Sequence, residues 1–427
     1  MVSTEACNSR SFSWLVKSCL PNPHPDARRK SGFVSRAVAE KVPPDNQRYC
    51  ASISSLPDDL LLECLSRVSP SSLPSVALVC RRWSRFVAST ELYSLRRANG
   101  HLRPTLYAVA VSDFGVLSAS HGLEPGRPWK TVLFTGAAPA EGLEASSLAH
   151  ARLVALDSSV YVLGRNASMR YHTWSETVSP RAPMIHHRKK FAAAAVAGRL
   201  YVAGGCRAAA VEEYDPASDT WHVVSEAPRK RYGCIGAAAD GVFYVIGGLR
   251  IGDGCRTAAA ASSSTFPPRG EAHVYASSMD LYDVGAGAWM RGRQVPNGGC
   301  VVAACGAGGH VYVLASHAVE LSFWRCEGRR SAGAAFGEWG RLRPPPVPAQ
   351  VRLDGTVRFC CVGVGESAVA LVQVVGSIDD LLRRSGRSER GHRDGLVLVY
   401  DCRSGEWNRG PDLPEVLSRA GCVSAEC

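Results

Sequence analysis

The residue types that perform chemistry are plentiful in this chain, but their spacing does not converge on a reaction. Sixteen cysteines and twelve histidines occur among 427 residues. A structural zinc needs thiolate or imidazole ligands paired a few positions apart, and no Cys-x-x-Cys is present. Cys300, Cys305, Cys360 and Cys361 come nearest to a cluster and read instead as small buried hydrophobes. A redox metal held by Tyr and His would draw on His172, His186, His187 and His222 with Tyr214, Tyr282 and Tyr400. Those histidines keep no fixed interval, and a metal site needs convergent ligands. No Ser-His-Asp order, Walker loop or paired-carboxylate motif stands out. Each Gly-Gly pair ends a strand without opening a helix, as a phosphate loop must. The sequence thus predicts no catalytic residue, no metal and no cofactor.

What does recur is a structural spacing. Ala192 to Val196 is a run of small residues suited to a strand crowded by its neighbours, and Leu200 to Ala203 is a second short strand. Gly204 and Gly205 follow, where backbone angles closed to other residues are open. Val211 to Tyr214 makes a third strand, Asp215-Pro216 a turn, and Trp221 a large apolar surface on a fourth. The unit repeats from Tyr232, with Gly247-Gly248, Tyr282-Asp283 and Trp289, and its second half returns as Tyr400-Asp401 and Trp407. Tyr and Trp stand seven apart each time: 214 to 221, 282 to 289 and 400 to 407. Such self-similarity at a fixed length marks a repeat array.

Ahead of the array, residues 53–98 differ in kind. Leu56-Pro57-Asp58-Asp59-Leu60-Leu61 places Pro at a helix start and carboxylates in the first turn, where they meet the positive end of the helix dipole. A break at Ser71 to Ser75 contains Leu73. A second amphipathic helix is expected over Val76 to Trp83, through Val79 and Cys80, and a third around Arg85 to Leu95.

The repeat resembles the kelch motif, and residues 103–427 resemble a kelch-repeat β-propeller. Leu-Pro-Asp-Asp-Leu-Leu followed by Val-Cys-Arg-Arg-Trp resembles an F-box. The fold expected is therefore mainly β, a propeller preceded by a small all-α module. Terminal Trp residues at 129, 174, 221, 289, 339 and 407 count six blades, with five or seven left open. Arg419 to Val423 resembles an opening strand and is expected to complete the blade begun at Tyr107, so that the ring has no free edge. The kelch positions are Gly204, Gly205, Tyr214, Trp221, Gly247, Gly248, Tyr282, Trp289, Tyr400 and Trp407.

The F-box resemblance implies a Skp-family adaptor, and through it a cullin ubiquitin ligase, with the propeller holding a target protein. Leu56, Pro57, Leu60, Leu61, Leu73, Val79, Cys80 and Trp83 are the positions it assigns to the adaptor, by burial of an apolar helix face in a groove. The competing expectation is that Leu60, Leu65, Leu78 and Val79 only form the core of a bundle packed on the propeller. Two other functions stay open at this stage: a propeller scaffold that recruits no ligase, and an oxidase of the kind some kelch-type propellers are. An F-box and kelch repeats in this order form a pattern common in plants.

Composition bounds the rest. An apolar fraction of 46% suffices for a core, and a mean hydropathy of -0.05 with no long apolar run predicts no membrane span. Scattered cysteines favour a reducing compartment, cytoplasm or nucleus. The net charge of +11 is spread along the chain, so nucleic acid is not the expected partner, while one with an acidic face is possible. Residues 1–52 are rich in Pro and are expected to be disordered apart from an apolar helical face at Phe12, Leu15, Val16 and Cys19. Ile251 to Ala276 and the Arg-rich Ser377 to Gly395 read as inserted loops.

Overall fold

The computed structural model describes residues 53–112, 115–124, 126–134, 151–251, 273–317, 320–329, 335–347, 357–376, 395–417 and 419–427. The expectations for residues 1–52, for the body of the Ile251 to Ala276 insertion and for Ser377 to Gly395 fall outside them. Residues up to Ser55 belong to a unit apart, of which a single turn, Ile53–Ser55, is described. Leu56–Cys427 is one compact unit.

Six four-stranded antiparallel sheets make up most of that unit. Blade 2 runs through Arg152–Leu156, Ser159–Leu163, Ser168–His172 and Thr177–Arg181, and blade 3 through Ala192–Val196, Arg199–Ala203, Ala210–Asp215 and Thr220–Glu226. Blade 4 comprises Ile235–Ala239, Val242–Ile246, Ser278–Asp283 and Ala288–Gln294; blade 5, Cys300–Ala307, His310–His317, Glu320–Cys326 and Trp339–Leu342; blade 6, Arg358–Val364, Ala368–Val375, Val397–Asp401 and Trp407–Arg409. Blade 1 is assembled from both ends of the unit. Pro104–Ser112, Gly115–His121 and Lys130–Phe134 take their inner strand from the C-terminal Gly421–Glu426, with Leu106 opposite Ser424. The expected closure is present, and the first strands of the six blades neighbour one another around the ring.

Small residues explain how those inner strands approach so closely. A Cβ placed on Gly306 of blade 5 would lie 1.9 Å from the Ala238 carbonyl oxygen of blade 4, a distance no side chain tolerates. The outermost strands are stapled differently. Trp221 Nε1 donates to the Ala182 carbonyl just past blade 2 (2.9 Å), Trp289 to the Ser225 hydroxyl of blade 3 (3.0 Å), and Trp407 to the Arg343 carbonyl just past blade 5 (2.9 Å). Trp129 does the same across the closing seam, to Pro411 (3.2 Å). The indoles of Trp221, Trp289 and Trp407 each face the Tyr seven positions earlier across a strand pair, Tyr214, Tyr282 and Tyr400, with ring centroids 5.0 to 5.1 Å apart.

Three sequence expectations are corrected. Trp174 is not the outer-strand Trp of blade 2. It lies in the turn before that strand, and Val178 is the residue opposite Tyr171. The helix expected over Val76 to Trp83 is two: α1 (Asp58–Ser66) is followed by α2 (Leu73–Ala77), α3 (Arg81–Val87) and α4 (Thr90–Ala98). Cys80 is fully extended between α2 and α3, and the Ser89 hydroxyl accepts from the Leu92 amide (3.2 Å), capping α4 and ending the expected third helix's continuity.

Antiparallel connectivity gives the ring two distinct faces. The turns joining strands 1 to 2 and 3 to 4 of each blade lie on one, the hairpin face. Loops joining strands 2 to 3, together with the blade-to-blade connectors, lie on the other, the connector face.

Candidate functional site

The helical module is attached to the hairpin face at blades 1 and 2 through a continuous core. Leu61, Leu65 and Leu73, with Val87 and Leu92, pack in the same cluster as Tyr107, Val160, Met169, Trp174 and Cys427. Burying this many large apolar side chains stabilises the junction by roughly 1.5 to 3 kcal/mol for each. At its centre Arg96, 1% exposed, stacks its guanidinium over the Trp174 ring at 5.3 Å. Its Nη1 donates to the Ser66 carbonyl at 3.0 Å and the Val68 carbonyl at 2.7 Å, tying the end of α1 to α4. Tyr93 lies 6.0 Å from Trp174, and burial, with Glu426 and Asp157 adding, pushes its phenol up to about 12. The last residue of the chain is held here too: Cys427 and Arg103 exchange backbone hydrogen bonds, and the Cys427 thiol meets Tyr107 and Thr173.

The opposite side of the same helices is uncovered. Leu60 is 51% exposed, Leu78 87% and Val79 61%, with Pro57 and Cys80 also exposed and Leu56 half-buried. The extended break at Cys80 turns Leu78 and Val79 outward. Arg82 braces this edge from below, donating to the Leu56 carbonyl at 2.6 Å and to Asp58. Of the positions the resemblance assigned to an adaptor, Leu61 and Leu73 are turned into the shared core and offer no surface, and Trp83 packs partly against that core. Leu65 joins them, whereas Leu60, Leu78 and Val79 do not form a core as the competing expectation required.

On the connector face, blades 3 and 4 share a device that sequence reading missed. Arg188 and Arg231, both fully buried, each stand four positions before an inner strand. Arg188 pairs with Glu212 at 2.6 Å, and its Nη1 donates to the Gly204 carbonyl at 2.8 Å. Arg231 pairs with Asp280 at 2.8 Å and donates to the Gly247 carbonyl, also at 2.8 Å. Gly204 and Gly205 have φ of +73° and +74°. A Cβ on Gly204 would lie 2.8 Å from the Arg231 carbonyl oxygen, so the double glycine lets one blade's loop touch the next blade's connector. Gly247 and Gly248 repeat the geometry with φ of +67° and +86°. The signal was in the sequence: Arg188 to Gly204 and Arg231 to Gly247 are the same interval, while the blade 4 insertion hides the match of Glu212 to Asp280.

The histidines and cysteines weighed for metal chemistry are dispersed. His172 is buried between the Ser158 and Ser175 hydroxyls, and burial with the Arg170 charge lowers it to about 4. His186 contacts Glu212, His187 is exposed, and His222 contacts Thr220. Cys305 is buried with its thiol 3.3 Å from that of Cys361; Cys360 is half-buried and Cys300 exposed. Among the described residues no three His, Cys, Asp or Glu side chains converge to hold a metal, and no helix is long and apolar enough to cross a membrane.

A helical module with one face fused to a six-bladed propeller and the other uncovered defines an adaptor architecture. Comparison with known proteins agrees: the F-box domain family matches residues 53–95 and the Kelch motif family residues 187–228, the span of blade 3 and its connector. The F-box/kelch-repeat protein At5g26960 of Arabidopsis thaliana is 55% identical over 99% of this chain and all of its own length. At1g67480, an F-box/kelch-repeat protein of the same plant, is 30% identical over 46% of this chain and 54% of its own. Among solved structures, that of YjhT aligns with a TM-score of 0.44 and 16% identity over 62% of this chain and 84% of that one. The chain belongs to the F-box/kelch-repeat family.

Proposed function

We propose that the chain is the target-recognition subunit of a Skp-cullin-F-box ubiquitin ligase, working in the cytoplasm or nucleus. The uncovered edge of Leu60, Leu78 and Val79 docks on a Skp-family adaptor. The propeller holds a protein on its connector face, opposite the helical module. The chain supplies no reacting group. Its contribution is to raise the effective concentration of target lysines near a ubiquitin thioester carried by another subunit.

The observation that carries this reading is the division within the helical module. Its leucines at 61, 65, 73 and 92 are 0 to 3% exposed, while its apolar residues at 60, 78 and 79 are more than half exposed. A patch of this kind costs solubility unless a partner covers it. The test is co-purification with a Skp-family adaptor, wild type against a Leu78→Glu, Val79→Glu variant. The expected result is a complex with wild type only, at unchanged melting temperature for the variant. Equal recovery of adaptor with both proteins, or with neither, refutes the docking edge; recovery with neither leaves a propeller scaffold that recruits no ligase.

A further inference from the structure

Four segments of the connector face meet at the seam of blades 3 and 4: residues 182–191, 204–209, 227–234 and 247–251. They are knitted by backbone hydrogen bonds rather than merely adjacent. Lys189 donates to the Gly205 carbonyl at 3.0 Å, Gly205 to Arg231 at 2.8 Å, Gly233 to Lys190 at 2.8 Å, and Ile251 to Lys230 at 3.1 Å. Arg231–Tyr232 pairs as a short ribbon with Leu249–Arg250. The two buried arginine-carboxylate pairs lie beneath and fix this platform from inside.

The charge of the platform is one-sided. No Asp or Glu occurs in the four segments. Among the described residues, the carboxylates beneath them, Glu212 and Asp280, are buried and already engaged by Arg188, His186, Arg229 and Arg231, and the exposed Glu226 borders the platform at the end of the outer strand of blade 3. Lys189, Lys190, Arg207 and Arg250 are exposed and make no salt bridge among the described residues. Lys190 lies over the Tyr232 ring at 5.7 Å, which orients its ammonium and occupies that ring face. Apolar side chains flank the cations on the same segments, Ile185 at 52% and Leu249 at 37% exposure.

We infer that this platform is where the target binds, and that it takes an extended protein segment carrying several negative charges beside a large apolar residue. The inference rests on the target-recognition reading and adds the chemistry of the target. A rigid array of like charges with its counterions already consumed beneath it attracts an anionic partner and rejects basic ones. Flanking apolar residues and an aromatic face covered by Lys190 favour a peptide over a single-stranded nucleic acid, which stacks its bases on open rings.

The protein in complex with its adaptor, or alone if none binds, is titrated with a Glu- and Asp-rich peptide bearing a central leucine. Its Gln and Asn counterpart, a phosphoserine counterpart and an oligodeoxythymidine complete the probe set. The acidic peptide is expected to bind at least about tenfold tighter than the neutral one, the sum of a few exposed ion pairs, and to weaken with salt. Lys189→Glu, Lys190→Glu, Arg207→Glu should abolish that margin, while Arg341→Glu, Arg403→Glu, exposed on blades 5 and 6, keeps it. Tighter binding of the phosphopeptide also supports the inference and assigns the charge to phosphate. Equal affinity for acidic and neutral peptides, an unaffected triple variant, or tighter binding of the oligonucleotide overturns it. Adaptor binding, read separately, reports on the ligase reading and is expected to be unchanged in the triple variant.

Discussion

The two faces of the ring are held by opposite kinds of interaction. On the hairpin face, the helical module and blades 1 and 2 share one apolar core with Arg96 laid flat on Trp174. On the connector face, blades 3 and 4 each hold their own connector by a buried arginine-carboxylate pair, backbone hydrogen bonds join the two, and the outer layer is cationic. An apolar core resists separation in water. A charged surface over a rigid base lets a partner come and go. The module is thereby fixed to the ring, while the seam is suited to reversible contact.

The largest loss of stability is expected at the seam. Arg231→Met leaves Asp280 buried without its main partner, and removing one member of a buried pair costs about 3 to 5 kcal/mol. A fall in denaturant midpoint of that size is expected, with Arg231→Lys recovering part of it; a midpoint within error of wild type would mean the pair does not hold the connector to blade 4. On the other face, Trp174→Ala removes the surface on which Tyr93 and Arg96 rest, at about 3 kcal/mol. Calorimetry should then resolve a separate, earlier transition for the helical module, and a single transition would show that the shared core does not depend on this indole.

A pH titration sharpens the contrast. His172 is held neutral, its pKa lowered to about 4 by burial. Between that value and the ordinary 6.5, the unfolded chain binds a proton that the folded one does not. Stability is therefore lost as pH falls through this window, by an amount on the order of 3 kcal/mol at most. His172→Gln should flatten the melting temperature between pH 7 and pH 5, and an equally steep fall in the variant would place the acid sensitivity elsewhere. The smallest effect is expected at the uncovered edge: Leu78→Glu, at 87% exposure, should shift stability by less than about 0.5 kcal/mol.

The legibility of the fold followed the strictness of its spacing. Blades 3, 4 and 6 announce themselves because Tyr and Trp must face each other across one strand pair, which fixes their separation. The closing strand at Gly421 was legible for the same reason, as an opening strand with no blade to follow. Blade 2 misled, since Trp174 mimics the pattern by identity while serving the junction. The helical module was recognisable from Leu56 to Trp83, yet which leucines face out was not: Leu60 and Leu61 are neighbours in sequence and opposite in burial. Arg96, Arg188 and Arg231 escaped because a buried arginine has the same letter as a solvated one, and only its partners distinguish it, the carboxylates of the two seam arginines lying 24 and 49 positions away.

On the proposed function, one face binds an adaptor while the other stays free for a target. Hydrogen exchange of the chain with and without a Skp-family adaptor tests it directly. Protection is expected around α1 and the break from Leu78 to Cys80, with residues 185–191, 229–233 and 249–251 unchanged. Protection spread over those connectors, or none in the helical module, would contradict the account.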